Sequence, residues 1–210
     1  MTNTSNTQRM MCFAGALVGW LTLIAQLYLI IENRIASVPE TIVRYFSYFT
    51  ILTNIMVALC FTASLTGKPP FFRKVRTQTA VAMYILVVGI VYNTVLRGLA
   101  ELHGLARLAD ELLHLILPVF YLLYWLLYGN TAALPWKAVW PWLLYPLIYV
   151  IYSLVRGTFA NFYPYPFLDV RLSGYPTVFR NSLLLTFVFL AMALLFVAIT
   201  RWKNKKGLSR

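Results

Sequence analysis

Six apolar stretches, each about as long as a bilayer is thick, decide most of what this chain can become. They run roughly over residues 11–31, 45–65, 79–99, 112–128, 136–155 and 181–202. An α-helix needs about 20 such residues to cross the hydrocarbon core. A spanning segment must satisfy its own backbone hydrogen bonds in lipid, so each stretch is expected to be helical. Of the 210 residues, 60% are hydrophobic and 11% charged, whereas an ordinary soluble domain has about 25% charged residues. The expected fold is all-α: a polytopic membrane protein forming one six-helix bundle over residues 1–210, without a separate soluble domain. The first apolar run, from Met10 to Ile31, is longer than the core of a signal peptide and reads as a retained helix.

The net charge of +12 would suit a nucleic-acid binder in a soluble protein. In a membrane protein, Lys and Arg instead record orientation and contact with anionic headgroups, so the partner expected is the bilayer and no nucleic acid. Counting Lys and Arg in alternate connections gives eleven on the side of Arg9, Lys68, Lys137 and the tail through Arg210, against seven on the other. This bias places both termini in the cytoplasm of a cell bounded by the plasma membrane. All six acidic residues, Glu32, Glu40, Glu101, Asp110, Glu111 and Asp169, then fall on the outer side. Cys12 and Cys60 lie inside apolar stretches, away from disulfide or metal-ligand spacing. No metal and no cofactor is expected.

Polar groups within hydrocarbon are costly, and they usually face a bundle interior, a partner or a cavity. The second stretch carries Ser47, Thr50, Thr53 and Asn54 at three- and four-residue steps, which puts them on one helical face. The fourth begins with Asp110 and Glu111, followed by His114, Pro118 and Tyr121. Asn93 and Arg97 close the third stretch; Tyr149, Tyr152, Ser153 and Arg156 close the fifth. All lie in the outer half of the expected bundle. Counted from Arg44, Thr50 sits ~9 Å along its helix at the usual rise, and His114 lies one turn beyond Asp110, so the two are expected at similar depth.

A hydroxyl and an imidazole at one depth suggest an activated nucleophile. A threonine hydroxyl needs an adjacent base to take its proton as it attacks a carbonyl, and histidine titrates in the right range to be that base. Asp110, four residues before His114, is placed to orient the ring. The plainer reading of each residue is structural. Threonines commonly bond the carbonyl four residues back, asparagines bridge helices, and Arg97 and Arg156 snorkel to lipid phosphates. Pro118 leaves the His114 carbonyl without its usual donor.

Three motifs, Tyr48-Phe-Thr-Ile-Leu-Thr-Asn54, His114-Leu-Ile-Leu-Pro118 and Tyr163-Pro-Tyr-Pro-Phe-Leu168, taken in order, resemble the androgen-induced-gene family of membrane proteins and its bacterial six-helix relatives. Animal members of that family hydrolyse fatty acid esters of hydroxy fatty acids with a threonine nucleophile and a histidine. The resemblance carries the threonine over to Thr50, with Thr53 as a competing register, and the histidine to His114. The interval from His114 to Pro118 is one residue shorter than the family pattern. The resemblance implies a lipid ester as substrate; on that reading Thr50 would form an acyl-enzyme, and Asn54, Asn93 or Arg156 is expected to hold the oxyanion. Phe46, Phe49 and Phe120 are expected to line the acyl path. The other reading is a transporter or a lipid- or ligand-binding protein whose polar cluster is a binding site, although no inverted repeat is visible.

Overall fold

The computed structural model describes residues 5–129 and 132–206. Asn130, in the connection between the fourth and fifth apolar stretches, and Arg210 of the basic tail lie outside the described residues. Among those described there is no strand, and six helices are long and apolar enough to cross a membrane. In chain order the helices are α1 (Asn6–Glu32), α2 (Val38–Phe46), α3 (Phe49–Thr66), α4 (Val75–Val91), α5 (Gly104–Glu111), α6 (Leu117–Tyr128), α7 (Val139–Ala160) and α8 (Val170–Lys205). Helix α4 runs on through a π-turn at Tyr92–Leu96, and a second π-turn at Leu112–Ile116 joins α5 to α6 as one rod.

Helices α3 and α4 form the centre, with about half of each buried (56% and 50%), whereas α1 and α8 are 28% buried. Helix α1 packs on α3, α3 on α4, and α4 on both α6 and α8. The outer faces of α1, α7 and α8 turn Leu17, Ile24, Leu147, Ile148, Leu184 and Phe187 outward, a wide apolar surface suited to lipid and far too large for a soluble monomer. Inside, Phe61 meets the rings of Phe120, Tyr121 and Tyr124. Buried polar ties join the central helices: Trp125 Nε1 donates to Thr79 Oγ1 at 3.1 Å, and Tyr84 Oη to the Trp142 carbonyl at 2.6 Å.

The helices depart from the expected boundaries where the backbone has a local reason to. The stretch expected as one helix from residue 45 is broken: α2 ends at Ser47, Tyr48 is extended, and α3 begins at Phe49. The Ser47 hydroxyl bonds back to the Val43 carbonyl at 2.7 Å and meets Tyr152 Oη at 2.8 Å, while Tyr149 Oη donates to the Ser47 carbonyl at 3.0 Å. These bonds satisfy the chain at the break, so a new helix N-terminus opens immediately before Thr50. Asp110 and Glu111 do not begin the fourth helix; they follow a full turn of α5 that starts at Gly104. The last helix begins well before residue 181, and the chain turns at Gly174, whose φ of 71° and ψ of 159° no helical residue adopts.

Candidate functional site

The hydroxyls in the spans follow two habits. Thr22, Thr62, Ser64, Thr94, Ser182 and Thr186 each bond the carbonyl four residues earlier, the plain structural role for such residues. Thr50 and Thr53 do not. Thr53, fully buried, pairs with Tyr145 Oη at 3.2 Å. Thr50 Oγ1 lies 3.2 Å from Tyr165 Oη, and that phenol oxygen also accepts from the Thr50 main-chain N–H at 3.2 Å. Thr50 is the second residue of α3, so its N–H is one of the first-turn donors that a helix cannot pair internally.

Thr50, Phe49, Tyr165, Tyr149, Phe189 and Tyr92 are among the walls of a cavity of about 70 Å³, several times what one water needs. Thr53 is not among its lining residues, which separates the two threonine registers geometrically. Phe49 lines the cavity, as expected of the acyl path. Phe46 and Phe120 do not: Phe46 is exposed on α2 and Phe120 packs on Phe61. The break at Ser47 separates α2 from α3, and Phe120 on α6 meets Phe61 of α3.

On the far side of Tyr92 stands the histidine. The Tyr92 ring stacks on His114 with centroids 3.7 Å apart and planes at 12°. His114 Nδ1 donates to the Asp110 carboxylate Oδ1 at 3.0 Å and to the Asp110 carbonyl at 2.9 Å. Both acceptors require the proton on Nδ1, so in the neutral imidazole it is Nε2 that carries the lone pair a general base uses. The Tyr92 hydroxyl donates to the other carboxylate oxygen of Asp110. Arg97 grips Glu111 through two hydrogen bonds of 2.9 and 2.8 Å and donates from Nε to Asn93 Oδ1 at 2.8 Å. No hydrogen bond joins Thr50 to His114; Tyr92 lies between the cavity and the imidazole.

The two asparagines explain how the π-turn at the histidine is tolerated. The Leu117 N–H reaches back to the Leu112 carbonyl, one residue beyond its α-helical partner, and Pro118 has no N–H to give. The carbonyls of Leu113 and His114 thereby lose their helical donors. Asn54 Nδ2 supplies the first at 3.2 Å, and Asn93 Nδ2 the second at 3.2 Å. The remaining amide hydrogens go to the Thr50 carbonyl (2.9 Å) and the Gly89 carbonyl (2.8 Å). The expectation that either asparagine holds an oxyanion therefore fails, because both N–H groups of each are committed to backbone. Arg156 pairs through Nη2 with Glu40 at 2.7 Å and lies over Phe162; its buried Nε has no partner, but the residue is not among those that line the cavity beside Thr50. Arg44 bonds the same carboxylate at 2.8 Å, and chiefly this bond, with Arg156 beside it, holds the Glu40 carboxyl below the ordinary range.

Sequence reasoning did not single out Tyr92, and it quoted Tyr165 only within the Tyr163–Leu168 motif, with no role. The chain contains 14 tyrosines, and nothing in their spacing distinguishes the two that frame the cavity. Tyr165 is placed by the loop after α7. There Tyr163 packs so tightly on Gly157 that a Cβ at that glycine would lie 2.0 Å from the ring. Gly157→Ala is therefore expected to lift this loop, lowering stability by about 2–3 kcal/mol and displacing Tyr165 from Thr50. Thermal melting of the purified variant checks the first effect. No protein-family model, curated protein or solved structure matches the chain.

Proposed function

We propose that this chain is a multi-pass plasma-membrane hydrolase of lipid esters, related to the androgen-induced-gene family, with Thr50 as nucleophile and His114 as base. In this reading both termini are cytoplasmic and the site opens toward the outer leaflet, the side to which the excess of Lys and Arg leaves all six acids. The carrying observation is the position of Thr50: a hydroxyl that does not bond its own helix, held by Tyr165 on the wall of an apolar cavity. Asn54 links the main chain of Thr50 to that of Leu113, so the nucleophile and the turn bearing His114 keep a fixed relation. Asp110 fixes the tautomer of His114, as the acid of a triad does.

In the reaction Tyr92 turns out of its stack, His114 Nε2 takes the Thr50 proton, and Oγ1 attacks the ester carbonyl. The alcohol leaves with the proton from His114, and water then hydrolyses the acyl-threonine by the same route. Fluorophosphonate labelling of purified protein, with the adduct located by mass spectrometry, tests this directly. The adduct is expected on Thr50; an adduct elsewhere, or none under conditions where a long-chain ester is split, would sink the assignment.

One observation favours the alternative of a lipid-binding protein without catalysis: His114 does not line the cavity, being covered by Tyr92. Ester turnover measured beside lipid uptake in reconstituted vesicles separates the two, since only the hydrolase releases free acid.

A further inference from the structure

With the amide N–H groups of Asn54 and Asn93 committed to backbone and Arg156 outside the cavity walls, the developing negative charge on a substrate carbonyl oxygen needs another donor. We propose that Tyr165 is a catalytic residue whose phenolic O–H, together with the Thr50 main-chain N–H, holds the oxyanion; this inference rests on the hydrolase reading above.

The geometry is specific. Tyr165 Oη lies 3.2 Å from Thr50 Oγ1 and 3.2 Å from Thr50 N. The oxyanion would be only two covalent bonds from Oγ1, so a donor at hydrogen-bond distance from Oγ1 is also within reach of it. Thr50 N–H has no other acceptor, because it belongs to the unpaired first turn of α3. The phenol is rigidly mounted. Its ring stacks on Phe167 at 5.2 Å and 4°, meets the edge of Tyr48 at 5.8 Å, and is followed by a tight turn in which Leu168 N–H bonds the Tyr165 carbonyl at 3.0 Å. Asn181 Nδ2 anchors that turn through the Phe167 carbonyl at 3.1 Å. Burial pushes the Tyr165 phenol up to about 12, so it keeps its proton wherever an ester hydrolase works.

The chemistry favours the transition state over the ground state. Before attack, the phenol O–H is engaged with Oγ1. As Oγ1 bonds to the carbonyl carbon, its proton passes to His114 and the π pair of the carbonyl moves onto oxygen. Oγ1 becomes an ester oxygen, a poorer acceptor, and the phenol turns to the stronger one, the oxyanion. When the intermediate collapses, the C=O re-forms, the bond to the alcohol breaks, and the alcohol takes the proton from His114. An interaction that strengthens only as charge develops raises kcat rather than lowering KM.

Tyr165→Phe keeps the ring and its packing and removes only the hydroxyl. It is expected to lower kcat for a long-chain ester by about 10²–10³-fold, the range for losing one oxyanion donor, with KM little changed. Affinity for a long-chain trifluoromethyl ketone, which forms a tetrahedral adduct with the nucleophile, should fall with kcat. Affinity for the matching unreactive ether should not. Incorporation of 3-fluorotyrosine at 165, which retains the hydroxyl, should preserve turnover. The proposal is overturned if Tyr165→Phe keeps kcat within about threefold of wild type, if ketone and ether lose affinity equally, or if the fluorotyrosine protein is inactive. Wild-type turnover that depends on Thr50 alongside an unaffected Tyr165→Phe would remove Tyr165 and leave the hydrolase reading standing. Wild type without Thr50-dependent turnover would remove both.

Discussion

Thr50→Ala is expected to reduce ester turnover to background, a loss on the order of 10⁶ by the standard of other hydrolytic nucleophiles, while the protein remains folded. The folding cost is small because the side chain is short and its lost partner, Tyr165, lines a cavity that water can enter; one neutral hydrogen bond is worth about 1 kcal/mol. His114→Ala should be equally inactive, although it also leaves the Tyr92 ring unstacked and Asp110 without its imidazole. Asp110→Asn is the sharper companion. The carboxylate accepts from His114 Nδ1 and from the Tyr92 hydroxyl on its two oxygens, and an amide can accept on only one. With the amide oxygen toward His114, the Tyr92 hydroxyl must turn round to accept from Nδ2; with the amide nitrogen toward His114, only the Asp110 carbonyl still holds the proton on Nδ1. If the tautomer is lost, Nε2 carries the proton and cannot act as base, a change worth about 10⁴ in a triad enzyme. Initial rates on a long-chain ester, read beside the melting temperature of each variant, check all three; turnover retained by folded Thr50→Ala ends the assignment.

The helices were legible because their length and apolarity are set by the bilayer, a constraint written into every residue of a span. Their interruptions were not, because each depends on a partner distant in sequence. Ser47 looks like any mid-helix serine until Tyr149 and Tyr152 of α7 take its carbonyl and hydroxyl. The π-turn at Leu112–Ile116 has one local mark, Pro118, but the amides that supply its freed carbonyls come from α3 and the end of α4. The Asp110–His114 pair was legible, being four residues apart on one helix. The three-four spacing of Thr50, Thr53 and Asn54 gave their common face, but not that one faces Tyr165, one Tyr145 and one the backbone of the histidine turn. The roles of Tyr92 and Tyr165 were not legible for a related reason: a tyrosine acquires its role only from what its hydroxyl meets.

The distribution of the two asparagines leads to the largest stability effect expected in the chain. Asn54 and Asn93 do the same task on adjacent carbonyls, those of Leu113 and His114, with bonds of equal length, 3.2 Å. They differ in surroundings. Asn54 is fully buried, whereas Asn93 is exposed near the end of its helix. A buried carbonyl deprived of its donor costs about 1–3 kcal/mol, and Asn54→Ala deprives the Leu113 carbonyl while withdrawing a second bond from the Thr50 carbonyl. The small void left behind adds to this. Together the loss should be about 3–4 kcal/mol, a fall in melting temperature of roughly 10 °C for a chain of this size. Asn93→Ala should cost less than half as much, because its carbonyl can find another donor from its surroundings. Thermal melting of both variants in the same detergent decides it. Equal losses, or an Asn54→Ala protein melting within about 2 °C of wild type, would mean that the π-turn holds itself and does not depend on the amide from α3.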